Sequence, residues 1–83
     1  MESDLDRDTL LDVERLKREA NNEAAKYPGL AKKGEYSIKY LYLIAKLLMI
    51  QEKTNLSFAY MLRNLKALKE HKDIYKIVSV ATQ

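Results

Sequence analysis

His71 is the only histidine of the chain, and it stands between Glu70 and Asp73. It is the one place where an imidazole stands beside carboxylates. A zinc-type site needs three or four converging nitrogen, oxygen or sulfur ligands. This chain has no cysteine, and Glu70 and Asp73 are the only carboxylates near His71 in sequence. The trio therefore reads as a polar corner, with no metal and no cofactor expected. The acids at the N-terminus (Glu2, Asp4, Asp6, Asp8) recur every second residue. On a helix that spacing scatters them, whereas an acid/base pair must converge on one face. There is also no glycine-rich loop of the kind that wraps phosphate. These absences point away from an enzyme. One further constellation, Ser57, Tyr60, Arg63 and Asn64, has side chains of the types that contact DNA, with Arg and Asn suited to base edges.

The elements that would position these groups are helices. Pro28, Gly29 and Gly34 are the only glycines and proline, and the 49 residues from Glu35 to Gln83 contain neither type. Tight turns normally need such residues to reach φ > 0 or to fix a corner. A long stretch without them, rich in Leu, Ile, Ala and Lys, is read as helices joined by short polar breaks. The expectation is one all-α domain over residues 1–83, a compact four- to five-helix bundle with a long N-terminal helix. Its 83 residues lie near the lower size at which one core folds alone.

The first helix is expected from Ser3 or Asp8 to Lys26, with Val13, Leu16, Ala20, Ala24 and Tyr27 as its apolar stripe and Pro28 and Gly29 as its stop. A loop from Tyr27 to Tyr36 follows. The second helix, about Ser37 to Gln51, places Ile38, Leu41, Ile44, Ala45, Leu48 and Met49 on one side, while Tyr40, Tyr42, Leu43, Leu47 and Ile50 fill most of the rest. A helix apolar nearly all round is either central to a bundle or partly exposed at a partner surface. The third helix follows the polar break Gln51–Asn55 and turns Phe58, Met61, Leu62, Leu65 and Leu68 inward. The last segment, with Ile74, Ile77, Val78 and Ala81, has helical spacing but β-branched content that also suits a strand. Helix is preferred because no second strand is available to pair with it.

Charge is uneven: residues 1–25 carry eight acids against four bases, and residues 26–83 carry eleven bases against four acids. Acids near a helix N-terminus offset its dipole. The basic remainder suits a solvated face, phosphate or an acidic partner peptide. The most apolar run, Tyr40 to Ile50, is 11 residues and contains Lys46, whereas a bilayer needs about 20. The acidic N-terminus has no apolar core of a secretory signal, and the lack of cysteine favours a reducing compartment.

The segment from Leu62 to Ala81 joins an apolar helix to a basic L-K-x-L-K-x-H-K corner and then an I-x-x-I-x-x-x-A helix. With Leu43–Ile50, the polar break, and Asn55-Leu56 before it, this order resembles the N-terminal domain of transcription elongation factor TFIIS and its relatives. Among these it is similar to the integrase-binding domain of lens epithelium-derived growth factor. The resemblance implies a nuclear, non-enzymatic helical module that binds short linear motifs in disordered transcription and chromatin proteins. It places the partner-binding surface near Tyr27, Pro28 and Leu30 and near His71 and Asp73, although the integrase-binding relative has an aromatic residue where His71 stands. Two other readings stay open, with a cytoplasmic location if the resemblance fails. A helix-turn-helix made of the second and third helices would contact DNA through Ser57, Tyr60, Arg63 and Asn64, though its turn lacks the usual glycine. A self-associating bundle would bury Tyr40, Tyr42 and Leu47 between chains.

Overall fold

Small residues on one face and charges on the other make residues 7–26 a helix that can approach a neighbour closely. The computed structural model describes residues 7–68 and 71–81, leaving aside the side chains of His71 and Ala81. The first helix, α1, is Arg7–Lys26, with Val13, Leu16 and Ala20 buried at three- and four-residue spacing. Asp8 in its first turn and Lys26 in its last complement the helix dipole. The alternative start at Ser3 lies outside the described residues.

Pro28 ends α1 because its ring displaces the preceding turn, yet its fixed φ suits the first position of a new helix. Tyr27 accordingly turns out of helical geometry and Pro28–Lys32 forms a short α2. This corrects the expected loop from Tyr27 to Tyr36, and it reassigns the glycines. Gly29 sits inside α2, while Gly34 takes φ +74° just beyond it. The Gly34 amide donates to Ala31 O at 3.1 Å and the Glu35 amide to Leu30 O at 2.9 Å, the paired bonds of a Schellman cap. The two glycines should therefore respond oppositely to alanine. Gly34→Ala is expected to lose about 1 kcal/mol from left-handed strain alone, since the added carbon meets only Lys76 Nζ at 4.0 Å. Gly29→Ala, with nothing within 4 Å, is expected to gain about 0.5 kcal/mol. Urea titrations of both variants check this, and equal signs would refute the assignment.

The central helix, α3, is Ile38–Lys53. Ser37 caps it, accepting from the Tyr40 amide at 3.1 Å while donating to buried Glu23 of α1 at 3.0 Å. One side chain thus starts the helix and ties it to its neighbour. The buried face is Tyr40, Leu43, Ile44 and Leu47, not the expected stripe. Ile38 is 86% exposed and Met49 55% exposed, because an almost wholly apolar helix leaves its rotation undetermined by periodicity. The Ser37–Glu23 bond and the stacking of Tyr40 on Tyr36, 4.8 Å between centroids, fix that rotation.

Ser57 caps the next helix, α4, through the Tyr60 amide, but α4 is only Phe58–Leu62. The expected helix through Leu68 is cut short by Asn64, whose φ is +74°. Met61 and Leu65 are buried as expected, whereas Phe58 is 44% exposed. The last element, α5, is His71–Ala81, a helix that buries Ile74 and Ile77 on α3. The fold is all-α, with no strand among the described residues. α3 is its middle layer: α1 covers one side and α5 another, with the core running from Val13 through Ile44 to Ile77.

Candidate interaction surface

Tyr27, Pro28 and Leu30 line up at the α1–α2 junction, the first two exposed and Leu30 half-buried. The space enclosed by Tyr27 and Leu30 with Glu23, Tyr36 and Tyr40 is only about 10 Å³, room for roughly one water and no side chain. Asp73 belongs to the first turn of α5, and its charge acts on Tyr36 and Tyr40. The side chain of His71 lies outside the described residues. Tyr36 therefore joins the two proposed halves: its ring borders the small void, its hydroxyl donates to Ala67 O at 3.3 Å, and Asp73 faces it. Burial first, and Asp73 second, push the Tyr36 phenol above its ordinary value. Tyr40 is raised further by burial, and its hydroxyl has no hydrogen-bond partner among the described residues. The two halves are brought together, but they meet in packed aromatic contact.

Open space lies on the two flanks of α5. On one flank, Gly34, Tyr36, Leu41, Lys76, Ile77 and Val80 wall a groove of about 320 Å³. Lys76 reaches across its end to donate to Gly34 O at 3.4 Å. Ile38 and Tyr42, 86% and 58% exposed, follow the same outer side of α3. On the other flank, Leu48, Gln51, Phe58, Ile74, Tyr75 and Val78 wall a second groove of about 330 Å³. Sequence reasoning missed both. The legible signal was the surplus of apolar residues on α3 beyond what one face can bury, together with Tyr75 and Val80 on α5.

Of the four DNA-type residues, Ser57 and Tyr60 use their side chains within the chain, while Arg63 and Asn64 are exposed. Ser57 caps α4. The Tyr60 hydroxyl donates to Glu14 at 3.0 Å and its carbonyl accepts from Lys17, whose ammonium lies 4.2 Å above the Tyr60 ring. The Arg63 guanidinium covers the same ring at 5.2 Å, and Asn64 O accepts from Asn21 at 2.7 Å. Asn21 also accepts from the Lys66 amide at 2.9 Å. Glu14, Lys17 and Asn21 thus form a polar spine along α1 that holds residues 60–66 in place. A five-residue α4 supplies no recognition helix long enough to lie in a DNA groove. Lys17 is held below its ordinary value, chiefly by burial and partly by Arg63, against the pull of Glu14. Its ammonium is covered by Tyr60, so it offers an incoming reactant no approach.

No group of three or more His, Cys, Asp or Glu side chains converges to hold a metal among the described residues. No helix among them is long and apolar enough to cross a membrane. The chain matches no protein-family model, no curated protein and no solved structure.

Proposed function

We propose that this chain is a non-enzymatic protein–protein interaction module, taking short linear motifs of transcription and chromatin proteins in the nucleus. The observation that carries the reading is the groove of about 320 Å³ beside the Gly34–Tyr36 corner, apolar on its Leu41, Ile77 and Val80 walls. A single apolar side chain of a motif fits such a space, and helix faces around it supply the flanking contacts. Its charged walls are Glu35 and Lys76, so an acid next to the apolar residue would meet the Lys76 ammonium at the groove's end. The site thus moves from the packed surroundings of Tyr27 and Leu30 to the open flank of α5, with Tyr36 at the boundary between them.

An NMR titration with a peptide carrying one aromatic residue between acidic ones tests this. Shifts are expected at Tyr36, Leu41, Ile77 and Val80, and Val80→Glu should weaken binding at least tenfold by placing an acid in the wall. Shifts confined to α1, or none at about millimolar peptide, would refute it. Retention of the chain on duplex DNA at low salt, with steep release as salt rises, would favour a nucleic-acid role instead.

A further inference from the structure

One end of the first groove is spanned by a single cation. Lys76 is the only basic side chain on its walls among the described residues, and its ammonium donates to the neutral carbonyl of Gly34 at 3.4 Å. Ordinary N–H···O bonds run from about 2.7 to 3.2 Å, and an ammonium on a carboxylate makes a shorter bond, roughly twice as strong. Lys76 is exposed, so its long flexible stem can swing without disturbing the core. Its ammonium thus rests on a weak acceptor at the mouth of an apolar space, and a stronger acceptor would draw it away. Lys76 and Val80 stand four residues apart on α5, about 6 Å along the helix. Val80, Ile77 and Leu41 wall the apolar part of the space. Alternate side chains of an extended peptide are separated by nearly the same distance, about 7 Å. Glu35, next to Gly34, is the other charge on the walls, and it repels a second acid at that end.

We infer that Lys76 is the specificity-determining residue of this groove: on binding, its ammonium leaves Gly34 O for one carboxylate of the motif, two positions from the apolar side chain seated among Leu41, Ile77 and Val80. This rests on the reading of the groove as the motif site, and it names which motifs that site takes. An acid two positions from an apolar residue is preferred to its amide. A run of acids gains little beyond the first, because Glu35 lies beside that contact. What the chain gives up is one long bond at a half-buried glycine. The new pair forms at an exposed rim, where screening by water keeps it modest, so it sets preference more than total affinity.

NMR titration with two peptides tests this, alike except that the residue two positions from the aromatic one is Glu in the first and Gln in the second. The Glu peptide should bind about three- to fivefold more tightly at low salt. That difference should shrink as salt approaches about 1 M. Lys76→Met keeps an apolar stem at an exposed site. It should erase the difference while both peptides still shift Leu41, Ile77 and Val80. Lys76→Glu should turn the preference toward a peptide with Lys at the same position, and both variants should keep the helical circular dichroism of the parent. Equal binding of the two peptides by the parent chain, or a preference that survives Lys76→Met, would overturn the inference and leave the groove as the motif site. Binding of neither peptide would overturn both.

Discussion

Tyr40→Ala is expected to remove about 4 kcal/mol of stability and Leu47→Ala about 3 kcal/mol, whereas Ile38→Ala and Met49→Ala should each stay within about 0.5 kcal/mol of the parent. Tyr40 and Leu47 are each 1% exposed, and both point from α3 into the core shared with α1 and α5. Their truncation leaves cavities in close-packed surroundings, and Tyr40→Ala also removes the stack on Tyr36. A chain of this length has roughly 4–12 kcal/mol of total stability. The Tyr40 variant would therefore be near its folding limit at 37 °C, while the Ile38 variant would melt as the parent does. Thermal and urea denaturation followed by circular dichroism give the comparison. A loss above about 2 kcal/mol at Ile38, with little at Tyr40, would mean that α3 is rotated to the stripe its spacing first suggests.

That contrast marks where sequence stops being informative. The helical class, the end of α1 at Lys26 and the helical last segment follow from local rules: spacing, dipole and breakers. Each is decided within a few residues. The rotation of α3 is decided by Glu23, fourteen residues before Ser37. The truncation of α4 is decided even farther away. Asn64 adopts a left-handed backbone whose carbonyl is held by Asn21, and the same Asn21 holds the Lys66 amide. Residues 58–68 have a continuous helical pattern of apolar side chains, so nothing local announces the break. The candidate surfaces were hidden for the same reason. A groove is the space between elements, and it exists only once α5 is laid on α3.

The polar spine also gives part of the DNA-type constellation a role within the chain. Tyr60, Arg63 and Asn64 are polar side chains on the outer side of an amphipathic pattern, which reads as a surface awaiting a ligand. Glu14, Lys17 and Asn21, one helical turn apart on α1, engage the Tyr60 hydroxyl and the backbone carbonyls of Tyr60 and Asn64. Covering Lys17 costs free energy, and the contacts to the Tyr60 ring and carbonyl offset part of it. The residues are spent on holding an irregular segment, which a regular helix would not have needed.

Raising the pH should unfold this protein in a transition governed by Tyr36 and Tyr40. Both phenols are held above their ordinary value of 10.0, chiefly by burial, with Asp73 adding to the shift in each case. A group whose folded value exceeds its unfolded one contributes stability that is complete below pH 10 and is lost as pH rises above it. Each pH unit beyond that point removes about 1.4 kcal/mol per phenol kept protonated. Lys17 acts in the opposite direction. Burial depresses its value below 10.5, so the cost of covering its charge is relieved as pH approaches 10.5. That relief then ends, while the loss from two tyrosines continues to grow, and the tyrosines win. The expected outcome is a fall in stability that begins above pH 10, about 1.4 kcal/mol from Tyr40 alone by pH 11 with Tyr36 adding to it, read as loss of helical signal on alkaline titration. Tyr40→Phe separates the contributions. It removes a buried hydroxyl that has no partner among the described residues, so stability at neutral pH should rise by about 1 kcal/mol and the alkaline midpoint should move upward. A loss of stability at pH 7 in that variant would show that the hydroxyl is paired. An unchanged alkaline midpoint would show that Tyr40 does not drive the transition.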